Sequence, residues 1–93
     1  MKTIEIISKF EQTILCASDI NSIKSEYHAN GETSITILFP YGSERVSVAN
    51  VDDAKKLYDG LAKFWLERMD GKFTINVNID QYNHILVNNW AVD

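Results

Sequence analysis

Apolar positions recur with two different periods along this chain, and the changes of period mark its elements. The longest regular run predicts a helix over residues 52–69. There Ala54, Leu57, Tyr58, Leu61, Phe64, Trp65 and Met69 fall on one helical face. Asn50 or Asp52 is placed to cap its start, and Asp52 and Asp53 in the first turn suit the positive end of the helix dipole. Gly71 stands where a helix commonly stops. Gly60 lies mid-helix, at a cost of about 1 kcal/mol relative to alanine, which close packing against a sheet or a partner would explain.

Residues 3–17 also fit an amphipathic helix. Ile6, Ile7, Phe10, Ile14 and Ala17 fall within one arc, with Glu5, Lys9, Gln12 and Cys16 opposite. The competing reading is a strand over Thr3–Ser8, because Ile4 and Ile6 alternate and β-branched residues are frequent there.

Elsewhere the period is two. Residues 22–28, 33–39 and 45–49 read as strands, with Ile35, Ile37 and Phe39 inward and Val46 and Val48 continuing the pattern. Residues 72–79 alternate again, with Phe73, Ile75, Val77 and Ile79 inward. A last strand runs from Ile85 to Val92, and its polar interruption at Asn88-Asn89 suggests an edge position or a short strand.

Turn chemistry sets the expected registers. A two-residue loop at Asn30-Gly31 would put Ile35 and Ile37 on one face with Glu26 and Lys24. A three-residue loop, Ala29-Asn30-Gly31, pairs His28 with Glu32 and gathers Ile23, Tyr27, Ile35, Ile37 and Phe39 on one side, with Gly31 left-handed. The second geometry is the expected one. Gly42-Ser43 suits a type II′ turn that pairs Tyr41 with Glu44 and Phe39 with Val46. Pro40 cannot donate to a ladder, so it belongs at a strand end or a sheet edge. The expected fold is therefore α+β: one domain over residues 1–93, in the order α-β-β-β-α-β-β. Its antiparallel sheet of about five strands carries two helices packed on one face.

Composition narrows the function. Hydrophobic residues make up 45% of the 93, enough for a packed core. The single cysteine, Cys16, excludes an intrachain disulfide and fits a reducing compartment. Charges at Glu5, Lys9 and Glu11 break any leader-like apolar run, and no stretch approaches the ~20 apolar residues of a membrane span, so a cytoplasmic protein is expected. Nine basic residues are scattered among thirteen acidic ones, for a net charge of −4. That disfavours direct nucleic-acid binding, which needs clustered cations, and suits docking onto a basic protein. Simple solubility accounts for the same charge.

No motif for catalysis, phosphate binding or zinc is present, and the four isolated glycines form no dinucleotide fingerprint. Cys16 with His28 or His84 has no spacing that signals a nucleophilic or metal site. No enzyme activity, cofactor or metal is expected. Asn76, Asn78, Asn88 and Asn89 fall on an outer face, where they are solvated or pair across an interface. Tyr41 and Tyr82 lie in expected turns and Trp90 near the C-terminus, and such residues are enriched at binding hot spots. With the acidic groups, they make Tyr41, Glu44, Asp52, Asp53, Asp80, Tyr82 and Trp90 the candidate partner-binding set.

The segment Gly42-Ser43-Glu44-Arg45-Val46-Ser47-Val48, followed by Val51 to Trp65, resembles some small acidic phage anti-CRISPR proteins. The likeness is architectural and spans residues 4–65: an N-terminal helix, a three-strand meander and an amphipathic helix. It implies an inhibitor that uses acidic groups to occupy the DNA-binding surface of an RNA-guided nuclease, and so a protein partner in a nucleic-acid-processing complex. Here the carboxylates are not densely clustered, and two further strands follow. Immunity proteins that block toxin nucleases share the same physical logic. The alternative expectation is a structural or assembly module of phage or bacterial origin, for example a homodimer paired through an edge strand.

Overall fold

The computed structural model describes residues 1–93 as seven strands and one helix. Strands β1 (Lys2–Ile7) and β2 (Gln12–Cys16) form a hairpin, and a single 3-10 turn (Ala17–Asp19) leads into β3 (Ser22–Tyr27). Strands β4 (Thr33–Phe39) and β5 (Gly42–Val48) follow, then helix α1 (Val51–Glu67), β6 (Gly71–Ile79) and β7 (Ile85–Val92). The strands make one mixed sheet in the order β2-β1-β6-β7-β5-β4-β3. Most neighbours are antiparallel, but β1 runs parallel to β6, and β5 meets β7 in parallel through the single pair Ser47↔Leu86.

The expectation of two helices and about five strands is thus corrected to one helix and seven strands. The difference lies in residues 3–17. Ile4 and Ile6 point into the core while Thr3 and Glu5 point away, so the period is two. A turn over residues 8–11 breaks the segment, although it contains no glycine, proline or asparagine. Ser8 supplies what those residues usually do: its Oγ accepts from the N–H groups of Phe10 (3.2 Å) and Glu11 (2.9 Å). Ile4 then pairs with Leu15, and Ile6 with Thr13.

The β3–β4 register is the expected three-residue solution. Tyr27 pairs with Thr33 and Ile23 with Ile37, while the His28 N–H donates to the Glu32 carbonyl (2.8 Å). Gly31 takes φ +88°, a region that side chains disfavour. The β4–β5 turn differs from expectation. Phe39 pairs with Gly42, so Pro40 and Tyr41 form the turn, with proline first and glycine last. Neither turn residue has a positive φ. The ladder slips by four residues relative to a Gly42-Ser43 turn. An even slip preserves facing, so Ile35 still lies with Val46, now directly opposite.

Strand β7 is neither short nor at an edge. It lies between β6 and β5, and its polar interruption is a β-bulge. Asn76 pairs with Asn89 while Val77 pairs with Val87, leaving Asn88 as the extra residue. The bulge resets the parity, so Ile85 and Val87 before it share the inner side with Trp90 and Val92 after it. On the outer side, Asn76 donates to Asn89 (2.8 Å) and Asn78 donates to Asn88 (2.9 Å), so the four amides pair with one another.

Asn50 caps α1, accepting from the Asp53 N–H at 2.9 Å. Ala54, Leu57, Leu61 and Phe64 form its buried stripe, whereas Met69 lies beyond its end and is exposed. The last turn has no cation of its own. Lys2 on β1 takes that role, its Nζ donating to the carbonyls of Trp65 and Arg68. The helix contacts β3, β4 and β5 and is tied by Lys2 to the other half of the sheet.

Chain connectivity makes this sheet curl. Its two edge strands, β2 and β3, are joined only by residues 17–21. Such a link reaches at most about 21 Å, whereas seven flat strands would be roughly 29 Å wide. Twist of about 20–25° per strand turns the edges toward each other. The concave side holds the core, centred on Ile4, Ile35, Ile37, Leu57, Leu61, Phe64, Phe73 and Ile75. No helix is long and apolar enough to cross a membrane.

Candidate functional site

Strand directions bring three turns to one end of the sheet. Since β1 parallels β6 and β5 parallels β7, the β1–β2, β6–β7 and β4–β5 turns all leave from the same end. Each turn carries an exposed aromatic: Phe10 at 80%, Tyr82 at 71% and Tyr41 at 92% exposure. Spacing alone places Phe10 on a helical stripe, and only the turn at Ser8 reveals it as a surface residue. The opposite end carries the β3–β4 turn and both ends of the helix.

Glu44 sits at the open mouth between these turns. Val46 and Val48 on the same strand point into the core, so alternation directs Glu44 to the core side too, where it is half-buried. On one side it lines a small cleft with Ser8, Glu11, Thr13, Ile79 and Ile85. On the other it lines a groove of about 370 Å³ between β2 and the β4–β5 turn. Ile14, Leu15, Asp19, Phe39 and Tyr41 contribute to that groove. The ion pairs of the chain are Met1 amine–Asp70, Lys72–Glu5 and His84–Asp80, so Glu44, Asp19 and Glu11 have no cation within bonding distance.

The other candidate residues have structural work. Asp80 shapes the β6–β7 turn: its Oδ1 accepts from the Tyr82 N–H (2.8 Å) and the His84 N–H (2.9 Å), and its Oδ2 lies 3.2 Å from His84 Nδ1. The bond from the His84 N–H, aided by the Tyr82 N–H and the His84 ring, holds the Asp80 carboxyl below the usual range. Asp80 therefore presents Tyr82 at the tip. Asp53 braces the cap residue: its Oδ2 accepts from Asn50 Nδ2 at 2.9 Å. Asp52 is an exposed residue of the first helical turn. These two carboxylates lie at the far end from Tyr41 and Tyr82. Trp90 is half-buried and packs into the core, stacked on Phe73 at 5.3 Å between ring centres with an 11° interplanar angle. A second groove, about 260 Å³, lies where β5 and β7 diverge beside the helix start, with Asp53, Lys56 and Trp90 on its wall.

The chemistry-bearing side chains are held apart. Cys16 Sγ lies 3.0 Å from Ser18 Oγ. His84 is engaged with Asp80, and no group of three His, Cys, Asp or Glu residues could hold a metal ion. One pair escaped the sequence reading: His28 Nε2 lies 3.0 Å from Ser34 Oγ. A serine beside an imidazole has the form of an activated nucleophile. Here Arg45 also donates to Nε2, and Ser34 is only 1% exposed, so the hydroxyl is sealed from any substrate. The trio satisfies a buried hydroxyl.

No described protein family, curated protein or solved structure matches the chain. The fold and the mouth around Glu44 therefore stand on their own chemistry.

Proposed function

We propose that this chain is a protein-binding module that works by occupying a partner's surface, as an inhibitor does, and that it docks through the turn-bearing end of its sheet. The observation that carries this reading is the set of three turn tips at one end, each offering an exposed aromatic, with Glu11 and Glu44 beside them and no cation within bonding distance of either carboxylate. Aromatic side chains supply much contact area with little entropy loss and dominate binding hot spots. Carboxylates without internal partners favour a basic surface opposite. Partners that handle nucleic acid carry such surfaces, which accords with a blocker of a nuclease or another defence or toxin protein. The reading places the protein in the cytoplasm, that of the host cell if a phage encodes it.

Co-purification with the tagged protein tests it. Phe10→Ala, Tyr41→Ala and Tyr82→Ala together should abolish capture of the partner, while Leu66→Ala, at an exposed site on the helix, should not. Equal capture by both variants would refute the assignment. A second reading, a homo-oligomer, is favoured by the two unpaired edges of β2 and β3. Analytical ultracentrifugation separates the two, since the first predicts a monomer and the second a dimer.

A further inference from the structure

Resting on that reading, we infer that the groove between β2 and the β4–β5 turn seats an extended basic segment of the partner. The segment adds to the free edge of β2 and sets a lysine or arginine beside Glu44. Strand β2 is the last in the sheet and pairs only with β1, so alternate backbone groups along Gln12–Cys16 face outward with no partner in the chain. Strand addition uses such groups for affinity and side-chain pockets for selectivity. The pocket is present: the groove of about 370 Å³ runs along Ile14–Cys16, with apolar walls from Leu15 and Phe39 and Tyr41 at its rim.

Charge selects the occupant. Glu44 reaches into the groove from β5 and Asp19 from the turn after β2, and neither has a cation within bonding distance. A half-buried carboxylate between apolar side chains suits a cation that brings its own apolar stem, as lysine and arginine do. A second copy pairing β2 to β2 would bring no such group, because Gln12–Cys16 contains no cation.

Three synthetic heptapeptides test this against the full chain by amide NMR and calorimetry: alternating Val and Lys, the same with Glu for Lys, and the Val–Lys peptide N-methylated at alternate residues. The Val–Lys peptide should slow exchange at alternate amides of residues 12–16 and shift residues 39–44. The Glu peptide and the N-methylated peptide should bind at least about tenfold more weakly, and Glu44→Gln should weaken the Val–Lys peptide by about tenfold. Binding that ignores charge or N-methylation, or that leaves residues 12–16 unperturbed, would overturn the inference. So would protection of residues 12–16 that rises with protein concentration alone, which would mean a second copy. Partner capture that depends on Tyr41 and Tyr82 while the peptides leave β2 unperturbed would keep the docking end and discard the peptide. Peptide binding at β2 with capture indifferent to Tyr41 and Tyr82 would do the reverse.

Discussion

Gly60 and Trp90 are predicted to be coupled strongly enough to reverse the sign of a substitution. A Cβ at position 60 would meet Trp90 Cη2 at 2.9 Å and Cζ3 at 3.0 Å, with Phe73 Cε2 at 3.6 Å. The indole cannot retreat freely, because it is stacked on Phe73. In a helix, Gly→Ala gains about 1 kcal/mol, and overpacking a filled site costs about 1–3 kcal/mol. Gly60→Ala should therefore destabilise by about 1 kcal/mol, a fall of about 4–8 °C in Tm for a domain of this size. Trp90→Leu removes the obstructing ring atoms at a cost of about 1–3 kcal/mol. In that background Gly60→Ala should stabilise by about 0.5–1 kcal/mol, giving a coupling of roughly 1.5–2 kcal/mol. Urea denaturation followed by circular dichroism on the four proteins of the cycle measures it. Additive effects, or a Gly60→Ala that stabilises the parent, would refute the packing of Trp90 on the helix.

Three further outcomes follow from the geometry. Asn50→Ala should cost about 1 kcal/mol of stability in urea, and Asn50→Ser less, since a hydroxyl still accepts from the Asp53 N–H without setting a second carboxylate against Asp53. His28→Ala should cost about 1–3 kcal/mol by stranding the buried Ser34 hydroxyl; adding Ser34→Ala should recover part of it, and a double variant no better than the single would contradict the pairing. The folded Asp80 carboxyl titrates below its ordinary value of 3.8, so its support of the β6–β7 turn is complete above that pH. It is lost as pH falls through the lower folded value: amide exchange at Tyr82 and His84 should lose protection only below the ordinary value, and protection that is already lost at or above pH 3.8 would contradict the loop's dependence on ionised Asp80.

The helix was legible because its stripe of Ala54, Leu57, Leu61 and Phe64 fits one period only and an asparagine cap precedes it. The β3–β4 register was legible because parity and Gly31 admit a single self-consistent loop. Residues 3–17 misled because Ile6, Phe10 and Ile14 satisfy the helical period while Ile4 and Ile6 satisfy the strand period. Tertiary pairing of β1 with β6, invisible from local spacing, decided between them. At β4–β5, two adjacent turn signals competed, and Pro40 with its fixed φ prevailed over Gly42 at the first position. The break at Asn88-Asn89 looked like a strand end because a bulge and an interruption read alike in one dimension.

The candidate site was half visible. Tyr41 and Tyr82 stand exposed at turns as their sequence context suggested, whereas Trp90 was drawn inward by the bulge, Asp53 is occupied by the Asn50 side-chain amide, and Asp80 is occupied in holding the backbone of its turn. Phe10 was hidden by the helical reading. The convergence of its turn with the other two depends on β1 lying parallel to β6 and β5 parallel to β7. Such long-range pairings leave no trace in composition or periodicity.

A photo-reactive amino acid placed in turn at positions 10, 41, 82 and 66, in cells that contain the partner, tests docking through the turn-bearing end most directly. The account predicts crosslinks to one and the same heterologous protein from positions 10, 41 and 82, and none to it from position 66. Crosslinks from position 66 alone, or no adduct other than the chain with itself, would contradict it.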